Sequence, residues 1–389
     1  MQSIKQLYKI GYGPSSSHTI APYRIAKYYL EQFKDCNHYE VVLGGSLALT
    51  AKGHGTIDII KDALSCDDVN FIIDIDTKEN VMYITGYHDG NKYDTWHSLS
   101  LGGGDIYIEE YDAGDDKEIY KEDNFNEIKK YLKDHNTDLL NYVYIHEPDI
   151  KDYLKNCIEV MIQTVEEGLN SEGLINEELN YYRIAKKLYD KAKDDKDLLV
   201  AYSYATCEQN AAGGKMVTAP TLGACGILTS LIYHLYHDKN ESLDTLCDLL
   251  IIGGIFGNCI KNNASIAGST GGCQAEVGTA CSMAAAALAY YNGDDLSTIE
   301  YAAEMGVEHF LGLTCDPVLG YVIIPCIERN AISILKAKEC AYLAHQLYDI
   351  KTNLISFDSV VHAMNYTGNK LAIELKETSL GGLSLEYKK

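Results

Sequence analysis

Over the first 112 positions the apolar residues fall in short runs broken by turn residues. The stretch from Ile20 to Phe33 repeats them at helical spacing, with Pro22 tolerated in the first turn. YEVVLGGSLALT (39–50) then reads as a strand running into a helix. VNFIIDID (69–76), VMYITGYH (81–88), KYDTWHSLSL (92–101) and DIYIEEYD (105–112) are β-branched and aromatic. His88-Asp89-Gly90-Asn91 and Gly102-Gly103-Gly104 separate neighbouring runs, so a small antiparallel meander is expected.

The period changes after position 112. Residues 113–195 are heavily charged, and NEIKKYLKDH and YLKNCIEVMIQTVEEGL place apolar residues three and four apart, which predicts a helical connector. From 196 onward the chain is rich in Ala, Gly and Cys. ACSMAAAALAYY (280–291) has small residues on every face, as a helix inside a bundle would. The expected fold class is an α+β N-terminal domain (1–112) and a helical connector (113–195), followed by an all-α domain (196–389). There is no internal repeat and no low-complexity segment.

The composition, 46% hydrophobic and 23% charged, fits a globular chain, and 389 residues suffice for two cores. A net charge of −23 argues against nucleic-acid and anionic-membrane partners, since neutralising phosphates needs clustered cations. The N-terminus lacks the apolar segment of a secretory signal. The longest apolar run, around Leu249 to Ile260, is broken by glycines and short of a membrane span. A cytoplasmic location is expected, with the twelve cysteines reduced. Of 33 basic residues only Arg24, Arg183 and Arg329 are arginine, so these positions are candidates for a planar, bidentate donor.

Nine of the cysteines lie between Cys207 and Cys340, and none forms a C-x-x-C pair. Cys273, Cys315 and Cys326 sit in STGGCQAEVG, LTCDPVLG and VIIPCIERN, next to glycine or proline, where side chains can converge at loops or helix ends. A free cysteine is most often a small core hydrophobe. That reading is given to Cys36, Cys66, Cys157, Cys247, Cys259, Cys281 and Cys340; Cys207 and Cys225, flanking another glycine-rich segment, stay open. That segment, NAAGGKMVTAPTLGACG (210–226), and the N-terminal GPSSSHT both offer hydroxyls and loop amides before a helix, which suits a carboxylate. A serine loop before a helix is usually only a cap, but Ser15, Ser16 and Ser17 followed by His18 exceed what a cap requires. KGHGT sets His54 between glycines with little to pack against, which favours an active-site role; His88 opens a turn and reads equally as surface.

Together, GPSSSHT, SLALTAKGHGT, LGGG, GGKMVTAPTLGACG, NNASIAG, GCQAEVGTACSMAA, EHFLGLTCDPVLG, PCIERNA and KETSLGGL resemble, in order, the bacterial iron–sulfur-dependent L-serine dehydratases. The resemblance spans nearly the whole chain apart from the charged connector and a shortened N-terminal domain. It implies a β-type domain followed by a helical catalytic domain, and a [4Fe–4S] cluster on Cys273, Cys315 and Cys326 with one iron open to substrate. It implies β-elimination from L-serine to pyruvate and ammonia, within amino-acid degradation and gluconeogenesis. Catalytic histidines fall on His54, proposed as the base, His18, and His88. Substrate contacts are expected from Ser15, Ser16, Ser17, Thr19, Lys215, Thr218, Thr221, Asn263 and Arg329, and a homodimer is expected. Leu222 replaces the family's usual Asn, and NASIAGSTGGCQAE departs from the usual run beside the cluster. Alternatives are the same chemistry on L-threonine or L-cysteine, or a non-enzymatic metal- or ligand-binding role. Some relatives carry a terminal cysteine; this chain ends LEYKK, so a more oxygen-labile cluster is expected.

Overall fold

The computed structural model describes residues 1–114 and 117–387; the final Lys388 and Lys389, where the oxygen-lability expectation partly falls, lie outside them. The chain starts inside the helical part of the molecule. A 3-10 turn (Ile4–Leu7), capped by Ser3, leads to β1 (Ile10–Tyr12), which pairs antiparallel with Lys215–Val217. Ile4, Leu7 and Tyr8 are buried in the large helical core rather than against the N-terminal sheet.

The α+β unit follows. In α1 (Ala21–Gln32), Pro22, Ile25, Ala26 and Tyr29 share one buried face at helical spacing. β2 (His38–Gly44) alternates buried Tyr39, Val41 and Leu43 with partly exposed neighbours. Two helices, α2 (Ser46–Leu49) and α3 (Thr56–Leu64), separate it from β3 (Val69–Asp74). β4 (Val81–His88), the two-residue β5 (Asn91–Lys92), β6 (Trp96–Gly102) and β7 (Asp105–Ile108) complete a sheet of order β3-β2-β4-β6-β7, with β5 paired to the end of β4. The meander expected from the sequence holds for β4, β6 and β7. β2 and β3 instead pair in parallel, because two intervening helices form a crossover that no hairpin turn allows. α1 and α3 cover this sheet, burying Ile25, Tyr29, Ile60 and Trp96 in one cluster.

The helical part begins with α4 (Phe125–His135), whose cap Asn124 accepts from the Glu127 amide, and α5 (Leu139–His146), capped by Asp138. α6 (Ile150–Asn170), the hairpin of β8 (Leu174–Asn176) and β9 (Tyr181–Tyr182), and α7 (Ala185–Lys191) follow. Then come α8 (Asp195–Ala211), β10 (Lys215–Val217), α9 (Cys225–His237), α10 (Leu243–Asn263) and the single turn α11 (Gly268–Gly271). The chain ends with α12 (Thr279–Tyr291), α13 (Leu296–Glu308), α14 (Cys326–Leu347), α15 (Phe357–Lys370) and α16 (Leu383–Glu386).

The connector helices share their core with the bundle. Phe125 of α4 packs at a tilt on Phe256 in α10, ring centroids 4.5 Å apart, and Phe256 meets Phe357 of α15 at 5.0 Å. α12 is buried on nearly all faces, and its small side chains allow α10, α13 and α14 to approach it closely. Among the described residues one helix, α10, is long and apolar enough to cross a membrane, and 78% of its apolar window is buried inside the protein. Its 21 residues outrun the interrupted apolar stretch read from the sequence.

Two features bring the parts together. The end of the sheet where β2 finishes and β4 begins faces the glycine-rich loops of the bundle, with Asn80 bonded to Ser269. The segment after α15 then threads back through that junction: Cys315 N–H donates to Leu375 O at 2.8 Å and Glu377 N–H donates to Cys315 O at 2.7 Å.

Candidate active site

Two histidines from the α+β unit form one wall. Residues Ser16–Ile20 make a wide π-type turn running into α1, a conformation concentrated at functional sites. Gly13 enters the turn where a Cβ would lie 2.1 Å from Asn210 O, so only glycine fits. The turn buries His18 completely, with Ser15 Oγ 3.0 Å from Nδ1 and Ser46 Oγ 3.0 Å from Nε2. His54 lies between α2 and α3, its amide bonded to Thr50 O at 2.9 Å. Its ring stacks on His18 with centroids 4.2 Å apart and planes 20° from parallel. Neither ring nitrogen of His54 has a hydrogen-bond partner.

Burial, which disfavours the charged form, lowers His54 to about 4. Burial and the neighbouring His54 hold His18 well below the usual imidazole range. Both rings are therefore neutral near pH 7. The unfolded chain binds a proton on His54 below about 6.5 and the folded chain only below about 4, so stability falls as pH drops through that window. Between pH 7 and pH 5 the cluster-free protein is expected to lose about 2 kcal/mol more than its His54→Gln variant. Urea unfolding of both proteins at the two pH values measures the difference, and equal losses would refute it.

Thiols and carboxylates form the facing wall. Cys273 precedes a second π-type turn, Gln274–Gly278, and Cys326 is the first residue of α14. The sulfurs of Cys273 and Cys315 and a carboxylate oxygen of Glu276 lie within 4.8 Å of one another. Thr221 Oγ1 donates to Glu276 Oε1 at 2.8 Å, and Cys315 Sγ is 3.9 Å from Oε2. The hydrogen bond between Cys315 and Cys273 lowers Cys273 and raises Cys315. Burial pushes Cys326 well up, as does the charge of Cys273. Burial raises Glu276 to about 7.

Glu377 joins the two walls. Its Oε1 is 3.6 Å from both His18 Nδ1 and His54 Nε2, and its Oε2 is buried without a partner. Burial holds this carboxyl well above the usual range, reinforced by Glu276 and Cys273. Buried Cys273, Cys315 and Glu377 and half-buried Cys326 and Glu276 thus gather beside the Arg329 guanidinium. Such a pocket is stable only while its acids stay protonated, or when a multivalent cation centre ionises the thiols. Thiolates at Cys273, Cys315 and Cys326 suit an iron–sulfur group, whose metals take soft sulfur ligands.

The remaining predicted residues divide. Ser15 meets His18 and Thr221 meets Glu276, so both are at the site. Ser16 and Ser17 are buried in the His18 turn. Arg329 serves the cysteine loop, donating to Thr314 O at 2.7 Å and to Asp316 at 3.1 Å. His88 is not brought in: it ends β4 on an exposed hairpin, with Nδ1 against Asp35 O, at the opposite end of the strand from Asn80. Thr19 donates to Tyr12 O and Ser15 O, bracing the turn. Thr218 donates to Leu7 O and accepts from the Lys9 amide, tying β10 to the N-terminal segment. Asn263 ends α10 and donates to Asp123 O and Cys259 O. Lys215 is exposed on β10.

Four residues at the site went unassigned in the sequence: Ser46, Asn80, Glu276 and Glu377. Glu276 and Glu377 do lie within the quoted GCQAEVG and KETSLGGL segments. A carboxylate three residues after a candidate ligand cysteine was a usable signal for Glu276. Nothing local marks Glu377, whose role depends on the C-terminal segment folding back.

Comparison with known proteins identifies the family. Residues 3–85 match the family model of the serine dehydratase beta chain, and residues 108–384 that of the serine dehydratase alpha chain. L-serine dehydratase 2 of Escherichia coli (strain K12) is 34% identical, covering 99% of both chains. The L-serine dehydratases of Haemophilus influenzae and Streptomyces coelicolor are 32% and 31% identical, over 99% and 98% of each chain.

Proposed function

The chain belongs to the serine dehydratase family, with beta- and alpha-chain portions in one polypeptide, and on that basis we propose that it dehydrates L-serine to pyruvate and ammonia. The observation that carries the reading is a buried, neutral imidazole with both nitrogens free, His54, facing across Glu377 a cluster of Cys273, Cys315 and Glu276, with Cys326 in electrostatic reach of Cys273.

Cys273, Cys315 and Cys326 are assigned to hold a [4Fe–4S] cluster. When bound, that group supplies an iron without a thiolate, a Lewis acid that eases departure of the β-hydroxyl. The protein's own side chains do the rest. His54 takes the α-proton, since a neutral imidazole has a lone pair available and burial strips it of competing water. His18 supports that ring from behind through the stack. The serine turn carrying Ser15, Ser16 and Ser17 is assigned to the substrate carboxylate, beside the base, which fixes the α-proton in reach. Arg329 and Asp316 brace the cysteine loop, orienting Cys315 rather than contacting substrate. The site is enclosed, with His18, His54, Cys315 and Glu377 all buried, and this protects the aminoacrylate product of elimination from solvent until release.

Anaerobic purification followed by iron and sulfide analysis and a pyruvate assay tests the reading. The expected result is about four irons per chain, with turnover of L-serine exceeding that of L-threonine and L-cysteine. A metal-free protein with full activity overturns the cluster assignment. A preference for L-cysteine, releasing sulfide, overturns the substrate assignment.

A further inference from the structure

His54 has no side-chain hydrogen bond, so packing against His18 sets its aim. What sets His18 can be traced atom by atom. The Ser46 amide lies 2.8 Å from Asn80 Oδ1. An amide N–H only donates, so the facing Asn80 atom is its oxygen. Ser46 Oγ lies 2.8 Å from the same oxygen and therefore donates its single proton there. The oxygen of Ser46 is then left to accept, 3.0 Å away, from His18 Nε2–H. His18 carries its proton on Nε2, and its bare Nδ1 accepts from Ser15 Oγ–H. Turning the Ser46 proton towards His18 would set its oxygen against Asn80 Oδ1, two acceptors 2.8 Å apart.

The other end of Asn80 reaches the bundle. Its Nδ2 donates to Ser269 Oγ at 3.2 Å. Ser269, in α11, lies four residues before Cys273, and its backbone lowers the otherwise raised pKa of the Glu377 carboxyl. Gly45 makes the approach possible: at φ 64°, it would place a Cβ 2.7 Å from Asn80 Oδ1 and 2.4 Å from Glu79 O. One side chain at the end of the sheet thus fixes the histidine platform and ties it to the cysteine-bearing loop.

We propose that Asn80 is a positioning residue for the elimination, acting through Ser46 to hold His18 as the Nε2–H tautomer and so to aim His54 at the substrate. The proposal rests on His54 being the base, as assigned above. In Asn80→Ala the Ser46 hydroxyl is free to turn and donate to His18 Nε2, which inverts the tautomer and loosens the stack. Ser46→Ala removes the same link by deleting one buried hydroxyl.

The test is steady-state kinetics with L-serine on anaerobically prepared holoenzyme of Asn80→Ala, Ser46→Ala and the double variant, with iron content checked. Each single variant is expected to lose about 10- to 100-fold in kcat, with KM within about threefold and iron content unchanged. α-Deuterated L-serine should slow them at least as much as it slows the parent. The double variant should be no slower than the slower single one, because residues acting as one unit do not add. A kcat within twofold of the parent in either single variant, multiplying losses in the double, or a smaller isotope effect overturns the proposal. If Asn80→Ala does not fold, Ser46→Ala decides alone. An inactive His54→Ala beside a fully active Ser46→Ala sinks only this inference; an active His54→Ala sinks the base assignment itself.

Discussion

His54→Ala is expected to lower kcat for L-serine by about 10²- to 10⁴-fold, the usual contribution of a positioned acid–base group, while iron content stays at the parent value. The α-hydrogen of serine is weakly acidic, and its removal needs a lone pair held at the right distance. His54 is the ring at this site with both nitrogens free; those of His18 are engaged by Ser15 and Ser46. His54 also sits in a glycine-flanked turn, makes no side-chain hydrogen bond and lies on the α+β side of the site, so its removal should leave the cysteine pocket intact. Iron analysis and pyruvate formation by the same preparation read both halves of the prediction. Activity within tenfold of the parent would move the base role elsewhere, first to Glu377.

Cys315→Ser should abolish activity by a different route, through loss of the cluster. Cys315 is pinned by backbone bonds to Leu375 and Glu377, and its sulfur meets those of Cys273 and the Glu276 carboxylate. Serine preserves that backbone and nearly the same volume. It replaces a soft thiolate with a hydroxyl that stays protonated and binds iron poorly. Iron per chain is expected to fall to a small fraction of the parent value, and the visible absorbance with it. Cys281→Ser is the control. Cys281 is buried in α12 against Cys340, which lies fourteen residues beyond Cys326 along α14, so its variant should keep its iron. Loss of iron in Cys281→Ser, or retention in Cys315→Ser, would mean that other cysteines hold the cluster.

The candidate site was legible in the sequence wherever local chemistry set a residue apart. Three serines before His18 exceeded a cap, glycines isolated His54, and glycine or proline beside Cys273, Cys315 and Cys326 marked loop ends. The structure brings Cys273 and Cys315 together and puts Cys326 within electrostatic reach of Cys273. Hydroxyls and amides were poorer guides. Thr218, Thr19 and Asn263 look like ligand groups in sequence, yet each is spent on backbone carbonyls, because buried backbone acceptors must be paired. His88 failed for a geometric reason. β4 is eight residues long, roughly 26 Å at a strand's rise per residue, and the site lies at its Asn80 end.

The sequence by itself determined the division into a strand-bearing first part and a helical remainder, since periods of two and of three to four residues are local properties. It also determined which loops carry histidine and cysteine. Only the tertiary structure decided that β2 and β3 run parallel, that the connector shares the bundle's core, and that the first residues belong to that core. The same holds for Glu377, carried from the far end of the chain to a position 3.6 Å from two histidines of the first domain. Each of these depends on pairing or packing between segments tens to hundreds of residues apart, and the energy that selects such contacts is burial across the whole fold, which no short stretch of sequence encodes.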